Sequence, residues 1–190
     1  MTFLLILSLN LNCFAQYVHH VSGIEIRKNK IQQTRKARSH HVNTLLSVLH
    51  REGKGKIDSR ILAVAYLENR LRIYAKRGDH GQACGIFQIH AKHSYPMFHR
   101  KRGFINWKPK ENKNAVHILR ECSKLENVNY SVKTMNRFVG MMEDRKLHVC
   151  HHNSGFYGKC NSWYKTRLDV LYVYFETAKL LCSERVNQWL

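Results

Sequence analysis

A short apolar stripe of helical period, interrupted by one carboxylic acid and followed by a cluster of glycines, restricts the fold of this chain more than any other stretch. Ile61, Val64 and Leu71 lie on one face of a helix that would start near Ile57. Glu68 completes the three- and four-residue spacing of that face. Because burial disfavours the charged form, the pKa of Glu68 should lie above its ordinary value, as a general acid near neutral pH requires.

Three glycines follow the helix within eight residues and lead into the apolar segment 85–89, GIFQI. The glycines are Gly78, Gly81 and Gly85. Glycines at this density suit a backbone that turns sharply or approaches a ligand closely. Two alternatives stay open at this point. Glu68 could reach solvent or pair with Arg72 four residues on, and Gln88 could satisfy only the backbone of its own loop.

The order of Glu68, a glycine-punctuated turn and GIFQI resembles the active-site signature of soluble lytic murein transglycosylases and goose-type lysozymes. In those families a catalytic glutamate ends a helix and a G-L-M-Q-I-like segment lies across the cleft. Trp107–Asn112 is similar to the family's Pro-x-x-Asn entry into the next helix, and Cys150–Gly155 stands where transglycosylases carry A-Y-N-A-G. The resemblance covers roughly residues 42–181.

The resemblance implies a mostly α, lysozyme-like single domain with a catalytic cleft over residues 42–190, with Glu68 as acid and base. The substrate-binding residues would be Gly85, Ile86, Phe87, Gln88, His152 and Asn153. Gln88 would hydrogen-bond the sugar's acetamido group, and Phe87 would form part of the cleft wall. His152 stands where the family has a tyrosine whose hydroxyl approaches the catalytic carboxylate. An imidazole donor there would make the site sensitive to pH near neutrality.

The number of catalytic carboxylates separates two reactions. As the resemblance implies, lytic transglycosylases need one glutamate, because the C6 hydroxyl of N-acetylmuramic acid attacks and leaves a 1,6-anhydro end. Asp79 matches the first aspartate of the goose-type G-D-x-G pattern. As a second carboxylate it would position water and make a hydrolase, or it could simply be a turn residue. His90 replaces the second goose-type aspartate, which favours a transglycosylase acting on the β-1,4 bond from N-acetylmuramic acid to N-acetylglucosamine.

A formal charge of +19 with 13 histidines indicates a polyanionic partner. We expect a monomer that binds peptidoglycan glycan strands and anionic cell-envelope polymers, and we do not expect nucleic acid as a partner. A non-enzymatic cationic protein that binds the envelope or nucleic acid is the rival class. It leaves Glu68 and the GIFQI segment unexplained, and no stacking-aromatic or helix-turn-helix signal supports it.

No cofactor or metal is predicted. Several residues are zinc ligands by type, but their spacing fits no regular zinc pattern. These residues are His148, Cys150, His151, His152 and Cys160. The two cysteines bracket the loop of Asn153 and could instead form a disulfide.

The N-terminus predicts export to the periplasm, the cell envelope or the extracellular space. Residues 1–15 have the apolar core and small residues of a signal peptide cleaved after Ala15, and an uncleaved, weakly anchoring segment is the competing interpretation. Residues 16–41 form a basic arm, extended or loosely ordered, with a short strand at Val21–Ile26. Cleavage would remove Cys13 and leave an odd number of cysteines, hence an unpaired thiol.

Helical periodicity predicts the remaining elements. The helices are expected at Val42–Arg51, Glu111–Leu125, Val132–His148 and Tyr164 to near Cys182. His93–Phe104 is expected to be a loop.

Overall fold

The computed structural model describes residues 2–27, 30–33, 36–78, 81–91, 112–154 and 159–187, and these are mostly helical, as predicted. The helices are α1 (Thr2–Val21), α2 (Ser39–Glu52), α3 (Ser59–Asn69), α4 (Asn112–Leu125), α5 (Val128–Asp144), α6 (His151–Ser154) and α7 (Ser162–Asn187). Two antiparallel hairpins pair β1 (Ile24–Arg27) with β2 (Lys30–Gln33) and β3 (Ala83–Cys84) with β4 (Ile89–His90). The predicted loop His93–Phe104 lies outside the described residues.

Helix α3 is the centre of the fold. Its start is capped by Asp58, whose side chain accepts a hydrogen bond from the backbone N–H of Arg60. Residues 61–66 are all buried, so the helix is enclosed on every side rather than along one stripe. It packs against α7 and α5, and its C-terminal end, from Leu67 to Asn69, is partly buried.

The helices predicted from periodicity are confirmed, but several of their bounds differ: α2 begins three residues before the predicted start, α5 also ends four residues before the predicted end, and α7 extends five residues beyond Cys182. Helix α5 begins at Val128, four residues before the predicted start, because Asn127 caps it by accepting hydrogen bonds from the N–H groups of Asn129 (3.0 Å) and Tyr130 (3.3 Å). Gly140 lies within the helix and does not interrupt it. Helix α7 is long, and its buried side chains cover both α3 and α1.

The N-terminal segment is a single helix across the predicted cleavage position. The expectation of extended chain is therefore wrong for residues 16–21, whose side chains include the buried Val18 and Val21. Phe14 is buried against Phe175 of α7, with ring centroids 6.4 Å apart. The strand predicted at 21–26 is found slightly later, at β1. Among the described residues, no helix combines the length and apolarity that a membrane span requires.

All six cysteines are paired. The bonds are Cys13–Cys182, Cys84–Cys122 and Cys150–Cys160. The pairing expected around the Asn153 loop is confirmed. The unpaired thiol is expected only after cleavage at Ala15 and stays a prediction for that form; in the full chain, Cys13 joins α1 to the end of α7. Cleavage after Ala15 stays a prediction, and it would remove this bond together with Phe14.

Candidate active site

Glu68 stands near the C-terminal end of α3, where Tyr164 from the first turn of α7 meets it. The Tyr164 hydroxyl donates a hydrogen bond of 2.5 Å to Oε1 of Glu68. Asn161 fixes that turn, because its Oδ1 accepts from the N–H groups of Trp163 (2.9 Å) and Tyr164 (3.3 Å). The acid and its donor thus come from two helices that pack against each other.

Burial raises the pKa of Glu68, and this effect exceeds the two that oppose it. The hydrogen bond from Tyr164 and the charge of His90 both lower the pKa of this carboxyl, because they favour its ionised form. The direction expected from the sequence is therefore confirmed, although the residue is only partly buried and keeps some contact with solvent. Burial and the adjacent Glu68 together raise the pKa of Tyr164, so its hydroxyl keeps the proton that it donates.

The chain turns sharply directly after Glu68. Arg70 and Leu71 both adopt left-handed backbone conformations, with φ of 49° and 63°, which end α3 there. Leu71 is wholly buried, and the Asn69 side-chain amide donates to the carbonyl oxygen of Arg72. Asn69 therefore closes this turn. The families that the sequence resembles usually have a serine at this position, directly after the glutamate. The tight turn holds Glu68 at the helix end instead of within a longer helix.

Gln88 holds the loop after α3 together. Its amide nitrogen donates to the carbonyl oxygens of Gly85 (3.0 Å) and Lys76 (3.2 Å), which uses both amide hydrogens on the backbone. A Cβ on Gly78 would lie 2.5 Å from Oε1 of Gln88, so this position has to be glycine while the amide lies there. The alternative in which Gln88 satisfies its own loop thus describes this structure better than the expected bond to a sugar acetamido group.

The other residues of the GIFQI segment support the site from within the core. Ile86 and Phe87 are 1% and 0% exposed, so the expectation that the Phe87 side chain forms a cleft wall is wrong. Gly85 has a φ of +72°, and a Cβ there would lie 2.1 Å from the carbonyl oxygen of Leu125. Gly85 therefore serves the close approach of this loop to the end of α4, not the approach of a ligand.

His152 does not replace the family's tyrosine beside Glu68. Its Nε2 donates instead to the carbonyl oxygen of Phe87 at 2.7 Å, which ties α6 to the GIFQI segment. Burial lowers the pKa of His152 to about 4, although the bond to Phe87 opposes this, so the ring is neutral near pH 7. The hydroxyl that bonds Glu68 belongs to Tyr164, which the sequence indicated only as the start of the last predicted helix.

Three sequence predictions concern positions that the structure does not describe. Asp79 lies outside the described residues, and so do the side chain of Asn153 and residues 107–111. His90 is described, at the end of β4, close enough to Glu68 for its charge to affect that carboxyl. A role for Asp79 as second carboxylate stays a prediction.

A cavity of about 610 Å³ lies at the opposite end of α3 from Glu68. Five of its charged side chains form ion pairs with one another. Arg60 bonds Asp58 and Glu143, each at 2.5 Å, and Lys179 bonds Glu176 at 2.8 Å. Burial raises the pKa of Glu176, but the hydrogen bonds from Lys179 and Ser59 and the charge of Lys179 together bring it below its ordinary value. We therefore place the candidate active site at Glu68 and not in this cavity, because a general acid needs a raised pKa.

No protein-family model, curated protein or solved structure matches this chain. The family resemblance therefore rests on the sequence motifs around Glu68, GIFQI and residues 150–155.

Proposed function

We propose that this chain is a lytic transglycosylase that cleaves the β-1,4 bond between N-acetylmuramic acid and N-acetylglucosamine in peptidoglycan, with Glu68 as its single acid and base. The observation that supports this most is the carboxyl group of Glu68, which is partly buried at the end of α3, has a raised pKa and accepts a hydrogen bond from Tyr164. A lysozyme-like fold with a catalytic cleft belongs to the same proposal.

Because of the hydrogen bond from Tyr164, the two carboxyl oxygens of Glu68 have different roles in this mechanism. Oε1 accepts from the tyrosine, so the transferable proton resides on Oε2. Oε2 protonates the glycosidic oxygen as the bond breaks. The carboxylate that forms is stabilised by Tyr164 and by the charge of His90, which are the two influences that favour its ionised form. Oε2 then takes the proton of the C6 hydroxyl as this oxygen closes the 1,6-anhydro ring.

The alternative is a hydrolase in which Asp79 positions water as the second carboxylate. His90 counts against it, since an imidazole stands where goose-type lysozymes carry their second aspartate. A non-enzymatic cationic protein is favoured only by the charge of +19, which the enzyme also needs in order to bind peptidoglycan strands and anionic envelope polymers. We further propose that the protein is exported and acts as a monomer.

Glu68→Gln tests the assignment directly, because it preserves shape and removes the transferable proton. Release of soluble fragments from bacterial sacculi should fall by a factor on the order of 10² to 10⁴. Glu184→Gln, an exposed carboxyl on α7, is the matched control and should leave the rate unchanged. Full activity of Glu68→Gln would show that this residue is not the general acid. If both variants still sediment with sacculi, the loss of activity in Glu68→Gln is a loss of catalysis and not of binding.

A further inference from the structure

Three metal-binding side chains meet beside α6. The nearest ligand atoms of His148, Cys150 and Cys160 all lie within 4.8 Å of one another, and the two cysteines are joined by a disulfide. We propose that reduction of Cys150–Cys160 opens a zinc site formed by these three side chains, with the fourth position left to water. The disulfide-bonded protein is expected to bind no metal here, because both sulfur atoms are used.

The separation of the three atoms suits a tetrahedral zinc ion. With Zn–S of about 2.3 Å and Zn–N of about 2.0 Å, ligand atoms in such a site are roughly 3.5 to 3.8 Å apart. The Cα atoms of Cys150 and Cys160 are 5.6 Å apart, so both thiolates can point to one centre after the bond opens.

His148 is already arranged as a metal ligand. Its Nε2 donates to Oδ1 of Asp169 at 2.8 Å, and its Nδ1 accepts the N–H of Cys150 at 3.1 Å. These two bonds fix the tautomer, with the proton on Nε2 and the lone pair on Nδ1 facing the cysteine. A histidine that donates one ring N–H to a carboxylate is the usual zinc-binding arrangement. Zinc would take the Nδ1 lone pair, and the Cys150 N–H would give up its bond to that nitrogen. Lys165 bonds Oδ2 of Asp169 at 2.7 Å and holds that carboxylate in place.

The electrons and protons balance with a thiol or phosphine as reductant. The disulfide takes up two electrons and two protons to give two thiols, and a phosphine becomes its oxide with an oxygen atom from water. Zinc then displaces the two thiol protons and binds two thiolates, so the charge at the centre is zero. A neutral centre suits this place, since Cys150 is buried.

Zinc would keep closed the same loop that the disulfide closes. Residues 150–160 include α6 and His152, whose bond to Phe87 ties this loop to the GIFQI segment. A reduced chain that binds zinc would therefore retain this support, whichever reaction Glu68 performs.

The test uses the full chain, reduced with a phosphine without oxygen and supplied with zinc sulfate. Metal analysis after removal of excess zinc should give one ion per chain, and none at this site in the disulfide-bonded protein. Cobalt in place of zinc should give the thiolate charge-transfer and tetrahedral absorption bands. The Cys150→Ser/Cys160→Ser variant should lose this ion, whereas Cys84→Ser/Cys122→Ser, the matched control, should keep it.

Two further variants separate the site from thiols that bind zinc unspecifically. Asp169→Asn should weaken zinc binding by about 10- to 100-fold, as expected for the carboxylate behind a ligating histidine. His148→Ala should weaken it at least as much. Alkylation followed by peptide mapping, with and without zinc, locates the ion even in a chain that folds poorly when reduced. Joint protection of Cys150 and Cys160 supports the site, and protection of other cysteines or of none overturns it.

Discussion

The reactivity of the proposed site depends on where one proton resides at Glu68. Burial favours the protonated acid, whereas Tyr164 and His90 favour the carboxylate. The first influence supplies the acid for bond cleavage, and the other two stabilise the carboxylate that this step leaves. The alkaline limb of the pH profile of kcat/KM should therefore report the protonation of Glu68.

Tyr164→Phe removes the only hydrogen bond described between these two groups. The pKa of Glu68 should rise further, so the alkaline limb should move to higher pH. The rate at the optimum should fall about 10- to 100-fold, because a hydrogen bond to a charged group contributes about 1.5–3 kcal/mol. Tyr130→Phe is the matched control, because the Tyr130 hydroxyl donates a hydrogen bond of 2.6 Å to Glu121 and not to Glu68. An unchanged limb in Tyr164→Phe would contradict this role.

His152 makes the fold sensitive to acid. Its folded pKa is about 4, below the ordinary 6.5, so the unfolded chain binds more protons between these values. The stability contributed by the neutral ring is complete above pH 6.5 and is lost as the pH falls toward 4, by at most about 3 kcal/mol. In His152→Gln, thermal unfolding should depend less steeply on pH across this window. Equal slopes in both proteins would exclude a buried neutral His152.

At the scale of single elements, replacing Gly85 and replacing Gly140 by alanine should change stability in opposite directions. Gly85 needs its positive φ and has no room for a Cβ, whereas Gly140 lies inside α5 with nothing within 4 Å of a Cβ. Gly85→Ala should destabilise the protein by at least about 2 kcal/mol through strain and overpacking. Gly140→Ala should stabilise it by about 0.5–1 kcal/mol. Denaturant unfolding of both variants checks this. If the two variants have the same unfolding midpoint, the close approach of the Gly85 loop to the end of α4 is contradicted.

At the scale of the whole molecule, Cys13–Cys182 fixes α1 to the end of α7. It closes a loop of 169 residues, whereas Cys150–Cys160 closes one of 10. The longer loop restricts the unfolded chain more, so Cys13→Ser/Cys182→Ser should lower the free energy of unfolding by about 2–5 kcal/mol, more than Cys150→Ser/Cys160→Ser. An unchanged stability would mean that α1 is not part of the folded domain.

The sequence predicted α2, α3, α4, α5 and α7 and the partial burial of Glu68, because a 3.6-residue apolar period reports which face is covered. It could not assign the donor to Glu68, because Tyr164 is 96 residues away and meets it only through packing of α7 on α3. Likewise, the motif located Gln88 and Phe87 but not the directions of their side chains, which depend on Lys76, Gly85 and the core. Residues 2–15 carry the composition of an export signal and also form a helix with a buried, disulfide-linked end. Composition alone does not distinguish an export signal from a helix that belongs to the folded domain.

Mass spectrometry of the muropeptides released from bacterial sacculi by the purified protein tests the central claim most directly. A single-glutamate transglycosylase predicts 1,6-anhydro-muramic ends, lighter than reducing ends by one water, and their loss in Glu68→Gln. Reducing ends would contradict the transglycosylase and make Asp79 the next residue to replace. No released fragments from the active-site-intact protein would contradict an enzyme altogether.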